Sequence, residues 1–120
     1  MAVEAVRRGG IYLVDFGVEP GQTESVGERG RLRPALVVQN DLGNEAGGTT
    51  IVVALSSRLP SRVFPFQVRL PAELLGREGV IMCEQIRTVS LERVDPRPLA
   101  QCPPELMAQV DAALRVSLGL

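Results

Sequence analysis

Arginine and hydroxyl side chains stand where apolar segments of the chain begin or end. Arg33 precedes the apolar run 34–38, and Ser56 follows the run 51–55. A guanidinium can hold a phosphate through two parallel hydrogen bonds and stabilise charge that develops on it. A hydroxyl can bind a phosphate oxygen, although serine alone is a poor base. The pair indicates chemistry at a phosphate; the simpler alternatives are an ion pair at Arg33 and a plain strand end at Ser56.

Other polar and aromatic side chains suit a nucleic-acid ligand. Asn40 and Gln85 each carry donors and acceptors, so either amide can read a base edge or a sugar hydroxyl. Such amides more often satisfy the backbone of turns. Phe64 lies in a predicted loop at 58–64, and it is the aromatic residue best placed to stack on a base.

The chain contains no histidine, and all 13 of its basic residues are arginine. It has no Cys/His cluster with metal-ligand spacing, so we expect no zinc site and no other cofactor. Any chemistry must depend on arginines, hydroxyls, amides and carboxylates. Cys83 and Cys102 are expected to be reduced and structural.

The arginines are unevenly distributed in a chain whose formal net charge is −1. No acidic residue lies between positions 46 and 72, a stretch that carries Arg58, Arg62 and Arg69. A second cluster consists of Arg29, Arg31 and Arg33. A near-neutral protein with local arginine clusters can bind a polyanion at a limited site, without coating nucleic acid non-specifically. The alternative is that these arginines form a solvated surface.

The length of 120 residues fits a single domain, residues 1–120, with a core of its own. No apolar run approaches the roughly 20 residues that span a bilayer, and no apolar signal-peptide segment follows the first arginines. We therefore expect a cytoplasmic protein that does not associate with membranes.

Short apolar segments predict a sheet. Pro34 lacks an N–H and suits the first position of a strand or an edge. The alternation breaks at Glu84 and Gln85 and resumes at Ile86, which predicts a bend or bulge there. The segment 49–57 has apolar residues on both faces, as in a strand that is buried on both sides. The predicted strands are 10–16, 33–39, 49–57, 65–70 and 79–83.

One helix should follow the sheet. Residues 103–118 are predicted to be helical, because a proline pair suits the start and Gly119 suits the end. Residues 17–30 are predicted to form a long loop, and residues 40–48 a turn-rich segment. These patterns predict a small curled sheet or barrel with a C-terminal helix. The apolar stripe of the helix, expected to pack on the sheet, contains Leu106, Val110, Leu114 and Leu118, widened by Met107 and Ala113.

Four motifs follow one another in a distinctive order. They are GGIYLVDF at 9–16, RPALVVQND at 33–41, TTIVVALSS at 49–57 and CEQIRTV at 83–89, and the helical segment VDAALRVSLGL follows at 110–120. No single motif is specific. The ordered set closely resembles the MazF/PemK family of toxin endoribonucleases over nearly the whole chain.

The resemblance implies a mainly β fold with α, an SH3-like small barrel of five to seven strands plus a C-terminal helix, assembled as a homodimer. It implies sequence-specific, metal-independent cleavage of single-stranded RNA, including mRNA, which inhibits translation and growth. In the family the 2′-hydroxyl attacks its own phosphate, leaving a 2′,3′-cyclic phosphate and a 5′-hydroxyl.

The resemblance also implies roles for individual residues. Arg33 matches the catalytic arginine, and Ser56 matches its hydroxyl partner, at a position where related sequences more often carry threonine. Gln85 matches an RNA contact, and Glu28 falls near an acidic position of the site. The expected RNA-binding residues are Glu28, Arg31, Asn40, Ser57, Arg58, Phe64 and Gln85.

The expected partner is a small MazE-like antitoxin whose disordered, acidic tail occupies the RNA groove and folds on binding. Two alternatives remain open at this point. One is a non-enzymatic gyrase poison of the related CcdB group, in which the end of the C-terminal helix is the active element. The other is a catalytically inactive binding module. Retention of the Arg33 and Ser56 motifs favours the ribonuclease.

Overall fold

The computed structural model describes residues 6–17 and 32–120. The strands of this part are β1 (Gly10–Asp15), β2 (Leu32–Val37), β3 (Thr49–Ser56), β4 (Gln67–Leu70), β5 (Gly79–Ser90) and β6 (Ala100–Gln101). The helices are α1 (Asp41–Ala46), α2 (Ala72–Leu75) and α3 (Pro104–Leu118), with a 3-10 turn at Leu91–Arg93. The predicted loop at 17–30 lies almost wholly outside the described residues.

The strands form one curled antiparallel sheet in the order β4-β5-β3-β2-β1-β6. β3 lies in the middle, paired with β2 on one side and β5 on the other. An isolated bridge between Val14 and Val94 draws the chain after β5 back to β1. The predicted mainly β fold with a C-terminal helix is confirmed.

Each face of the sheet carries its own hydrophobic core. One core packs between the sheet and α3, and Val53 of β3 belongs to it together with Val110 of α3. The other core lies on the opposite face, and Val52 of β3 belongs to it together with Val14 of β1. Neighbouring residues of a strand point to opposite faces. The prediction that the third strand is buried on both faces is therefore confirmed.

β5 contains the predicted irregularity. Val53 of β3 pairs with Ile86, whereas the next residue, Ala54, pairs with Met82. Residues 83–85 of β5 therefore have no counterparts on β3, as in a β-bulge. The strand continues through this bulge to Ser90 instead of ending at residue 83 as predicted. The bulge leaves Gln85 exposed at the centre of a long strand.

Residues 40–48, predicted as turns, contain helix α1. Asn40 is the N-cap residue, and its side-chain oxygen accepts a hydrogen bond from the Gly43 N–H at 2.7 Å. The glycines of this segment favoured turns in the sequence, so the helix was not predicted. Helix α2 and strand β6 were also not predicted, and β4 begins at Gln67 rather than at residue 65.

Helix α3 begins and ends as the sequence predicts. Pro104 occupies its first turn, and Gly119 ends it with a left-handed φ of 73°. Leu106 and Val110 of the predicted stripe are buried, but Leu118 is 57% exposed. The apolar stripe therefore packs on the sheet along most of the helix and leaves it at the last turn. Among the described residues, no helix has the length and apolar character needed to cross a membrane.

A buried polar network fixes α1 against the sheet. Asn44 is 1% exposed, and its Oδ1 accepts hydrogen bonds from Thr50 Oγ1 at 2.6 Å and from Gln39 Nε2 at 3.0 Å. Its Nδ2 donates to the Gln39 carbonyl at 3.1 Å and to Asp41 Oδ1 at 3.3 Å. The Arg8 N–H donates to the same Asp41 oxygen and holds the pKa of that carboxyl below its usual value. The network joins the N-terminal turn, α1 and β3.

Replacing Asn44 by alanine should destabilise the fold. Thr50 and Gln39 would lose a buried acceptor, and we expect a loss of about 2–3 kcal/mol in the free energy of unfolding. Urea unfolding measures the loss. Glu45→Ala, at an exposed position of the same helix, serves as control and should stay within about 0.5 kcal/mol of wild type. Equal stability of the two variants would contradict a structural role for the network.

Gly79 allows β5 to approach β3 closely. A Cβ atom at Gly79 would lie 2.6 Å from the backbone oxygen of Ser56, a distance that only a shift of the strands could relieve. Gly79→Ala should therefore destabilise the fold by about 1–3 kcal/mol in urea unfolding. Gly48→Ala is the matched control, because no heavy atom lies within 4 Å of its added Cβ. If the two variants unfolded at the same urea concentration, the close approach of β5 to β3 would not require glycine at position 79.

Candidate active site

The strand register brings Arg33 beside Ser56. Ala35 of β2 pairs with Ala54 of β3, and continuing this antiparallel register by two residues sets Arg33 opposite Ser56. Ser56 in turn pairs with Val80 of β5. Directly opposite residues of neighbouring strands point to the same face. Two residues 23 positions apart in sequence are therefore neighbours at one end of the sheet.

Pro34 is compatible with this arrangement. It is the third residue of β2 rather than the first, and it pairs with Leu13 of β1. The ladder between β2 and β3 begins only at Ala35. The missing N–H of proline thus interrupts no rung on the side of β3.

A pocket of about 690 Å³ lies at this end of the sheet. Arg33, Ser56 and Ser57, all predicted site residues, line it together. A pocket of this size can hold part of a nucleic-acid strand. Its remaining lining residues are Pro34, Leu55, Leu70, Leu74, Leu75, Arg77, Glu78, Gly79 and Leu99.

The Ser56 hydroxyl is oriented by the following turn. The backbone N–H of Arg58 donates a hydrogen bond to Ser56 Oγ at 3.1 Å. This contact uses an acceptor site of the oxygen and leaves the hydroxyl hydrogen available for donation. Ser56 can therefore donate to an anionic oxygen in the pocket. Arg58, a predicted RNA-binding residue, contributes its backbone to the site, and its side chain does not line the pocket.

The charged residues of the pocket give it a net positive character. Among the lining residues that the structure describes, Arg33 and Arg77 face a single acidic residue, Glu78. Within the described ranges, no hydrogen bond or ion pair is formed by the side chain of any of these three residues. Two guanidinium groups near one pocket attract a phosphate by charge and can each bind it through paired N–H groups.

Arg77 and Glu78 were missed by the sequence analysis. They precede the apolar run that becomes β5, much as Arg33 precedes the run that becomes β2. Their position just before a predicted strand was the signal in the sequence that could have indicated them. Helix α2 ends at Gly76, which has a left-handed conformation, and Arg77 and Glu78 follow directly at the pocket.

Other predicted residues lie elsewhere. Asn40 follows the opposite end of β2 from Arg33, and its side-chain oxygen caps α1. Gln85 and Phe64 do not line the pocket. Glu28 and Arg31 lie outside the described residues. The structure therefore brings together Arg33, Ser56 and Ser57, and separates Asn40, Phe64 and Gln85 from them.

Phe64 belongs to a second exposed surface. Its ring is parallel to that of Phe66, with centroids 5.3 Å apart, and the guanidinium of Arg62 lies 5.3 Å from the Phe64 centroid. Gln67 Nε2 donates to Glu84 Oε2 at 2.9 Å, which ties this segment to the bulge of β5. We call Arg62, Phe64 and Phe66 the aromatic stack. It presents planar groups beside the strand that carries Gln85.

The thiols contribute no reactive group to the site. Cys83 and Cys102 are free and buried in the core under α3. Burial raises the pKa of each thiol to about 11. A thiol with that pKa carries almost no thiolate at neutral pH, and the thiolate is the nucleophile. In the part of the chain that the structure describes, no cluster of three or more His, Cys, Asp or Glu side chains is arranged to hold a metal ion.

Comparison with known proteins identifies relatives along the full length. Residues 7–118 match the family model described as PemK-like, MazF-like toxin of type II toxin–antitoxin system. Endoribonuclease EndoA of Bacillus subtilis (strain 168) is 37% identical over 117 residues, which cover 96% of each chain.

Solved structures share the fold. A MazE–MazF complex from Deinococcus radiodurans superposes with a TM-score of 0.73 at 27% identity, covering 98% of each chain. An endoribonuclease in complex with its cognate antitoxin from Mycobacterial species gives a TM-score of 0.76 at 23% identity, covering 97% of each chain. The family model and the Bacillus relative each span nearly all of this sequence, and the chain belongs to the PemK-like, MazF-like family of type II toxin–antitoxin toxins.

Proposed function

We propose that this protein is an endoribonuclease toxin that cuts single-stranded RNA, including mRNA, at specific sequences without a metal ion, and thereby inhibits translation and growth. The observation that carries the proposal is the placement of Arg33 and Ser56 in one positively charged pocket. Membership of the toxin family and 37% identity to an endoribonuclease support it. The products are a 2′,3′-cyclic phosphate and a 5′-hydroxyl.

The chemistry proceeds by attack of a 2′-hydroxyl on the neighbouring phosphate. Arg33 binds the non-bridging oxygens and stabilises the charge that develops on them. Ser56 donates its hydroxyl hydrogen to a phosphate oxygen and aligns the phosphate for in-line attack. Arginine is a reluctant acid because a guanidinium loses its proton only far above neutral pH. Its contribution is therefore electrostatic stabilisation rather than proton transfer.

The RNA strand extends from the pocket toward the aromatic stack. Val80 pairs with Ser56, and Gln85 follows five residues later on β5. At about 3.3 Å per residue, this places the pocket and the bulge on the order of 15 Å apart. A single strand can span both and present unpaired bases to Phe64 and Gln85. Sequence preference then depends on groups along β5 as well as on the pocket.

The protein partners follow from the same charges. A MazE-like antitoxin with an acidic, disordered tail neutralises the toxin by occupying the arginine-lined pocket. Support comes from the similar MazF structure of Deinococcus radiodurans, which is a complex with MazE. Reduced thiols and an RNA substrate are consistent with a cytoplasmic location.

The active form is a homodimer. The apolar side chains of β2 and β3 are largely used within the chain, in the two cores. The exposed apolar residues at the end of the chain are Val116, Leu118 and Leu120, which are 54%, 57% and 86% exposed. These exposed apolar side chains form a surface that a second copy can cover, which supports the dimer.

Arg33→Ala should slow RNA cleavage severely. Purified full-length protein is incubated with a long single-stranded RNA in excess EDTA, and fragment ends are read by mass. Loss of the phosphate-stabilising guanidinium should lower kcat by about 100- to 1,000-fold, and Ser56→Ala should lower it less. Arg69→Ala is the matched control, because Arg69 is exposed on β4 and does not line the pocket.

Several outcomes would count against this function. A requirement for added metal would refute metal-independent cleavage, and 3′-phosphates without a cyclic product at early times would refute attack by the 2′-hydroxyl. Full toxicity of Arg33→Ala in cells would favour the gyrase poison of the CcdB group. Folded wild-type protein that cuts no RNA and shows no toxicity would indicate an inactive binding module.

Phe64→Ala should weaken RNA binding more than it slows cleavage. Stacking of a base on an aromatic side chain contributes about 1–3 kcal/mol, so we expect a rise of about tenfold or more in KM with little change in kcat. Leu59→Ala provides the control, because Leu59 is an exposed apolar residue, 49% accessible, in the same inter-strand segment. A larger effect of the Leu59 substitution would show that the stack does not bind bases.

A further inference from the structure

The geometry points to Glu78 as the general base that takes the proton from the attacking 2′-hydroxyl. The inference rests on the proposed RNA cleavage and assigns one more catalytic residue to the same pocket. Neither Arg33 nor Ser56 can perform this step, since a guanidinium is already protonated and a hydroxyl is a very weak base at neutral pH. A separate group must accept the proton.

The composition of the pocket leaves one group for this role. The described part of its lining consists of leucines, a proline, a glycine, two serines, two arginines and Glu78. Of these side chains, only a carboxylate can both accept a hydrogen bond and hold a proton in the pH range of protein function. Glu78 is therefore the candidate base among the described residues that line the pocket.

The backbone holds Glu78 beside the reacting groups. Gly79, the next residue, lies so close to β3 that its added Cβ would be 2.6 Å from the Ser56 carbonyl oxygen. Val80, one residue further, pairs directly with Ser56. Glu78 thus enters the pocket two residues from the row that contains Ser56 and Arg33. Glu78 precedes the first residue of β5, so the paired strand anchors the end of the segment that carries it.

The surroundings of Glu78 leave its carboxylate available. The residue is exposed, and within the described part of the chain its side chain forms no hydrogen bond or ion pair. A carboxylate alone would repel a phosphate, but Arg33 and Arg77 line the same pocket and offset that repulsion. Within residues 6–17 and 32–120, the charged groups that face the pocket are Arg33 from β2 and the pair Arg77 and Glu78 before β5; β3 and α2 contribute uncharged side chains.

The proposed step balances without another reagent. The 2′-hydroxyl gives its proton to a Glu78 oxygen as the 2′-oxygen forms a bond to phosphorus. The bond between phosphorus and the 5′-oxygen breaks, and the leaving oxygen keeps the electron pair and takes a proton from water. Glu78 then returns its proton to the solvent, so the carboxylate is regenerated.

The test compares the pH dependence of kcat for full-length variants on one RNA substrate. Glu78→Gln keeps the shape of the side chain but removes the base, so kcat should fall about 100-fold or more and the decline of kcat at acidic pH should disappear. KM should change little. Glu78→Asp should restore part of the rate, because it restores a carboxylate. Glu73→Gln, an exposed position on α2 outside the pocket lining, should behave as wild type.

Three results would overturn the assignment. The first is a wild-type kcat and pH profile in Glu78→Gln. The second is loss of the acidic decline in Glu28→Gln instead, which would assign the base to that residue. The third is a changed cleavage sequence with an unchanged pH profile, which would make Glu78 a base-reading group.

Failure of the proposed function is distinguishable from these results. If wild-type protein cuts no RNA, both the function and the base fail. If Arg33→Ala cuts as well as wild type, RNA cleavage does not depend on this pocket, and the assignment of the base fails with the assignment of Arg33. If Arg33→Ala is inactive while Glu78→Gln keeps the wild-type rate and profile, only the assignment of the base fails.

Discussion

The pairing of β3 with both of its neighbours is the constraint on which the site depends. Ser56 pairs with Val80, and the register with β2 sets Arg33 on its other side. A slip of one residue would turn every side chain of a strand to the opposite face. Such a slip is strongly disfavoured, because Val52 and Val53 are fully buried in cores on opposite faces of the sheet. Packing at the centre of the sheet thus determines the geometry at its end.

Placement at strand ends suits a site that works with fixed charges. A guanidinium stays protonated across the physiological pH range, so its contribution depends on position alone. Errors of about 1 Å in position are costly for catalysis by alignment. Backbone pairing restrains Ser56 on β3 and Gly79 on β5, and the N–H of Arg58 restrains the Ser56 hydroxyl itself. In the proposed mechanism, this backbone positioning supplies the alignment that a site without histidine requires.

The sequence predicted what depends on local pattern and strand ends. The five main strands and the C-terminal helix follow from hydrophobic periodicity, and Arg33 and Ser56 were found because they flank apolar runs and match a family motif. Helix α1 was missed for two reasons. Its stability depends on the tertiary contact of Asn44 with Thr50, which a local pattern does not reveal, and the glycines around Asn44 favour turns. Arg77 was missed because the turn after α2, which carries it to the pocket, has no distinctive motif.

The leucine walls of the pocket affect how strongly its charges act. Leu55, Leu74 and the other apolar lining residues exclude water from part of the space around Arg33 and Arg77. Charges interact more strongly beside low-dielectric walls than in bulk water. A phosphate bound beside these walls is therefore attracted to both guanidinium groups more strongly than it would be in bulk water. Glu78 lines the same pocket and opposes part of that attraction. Because two arginines face one carboxylate among the described lining residues, the leucine walls favour a polyanionic ligand.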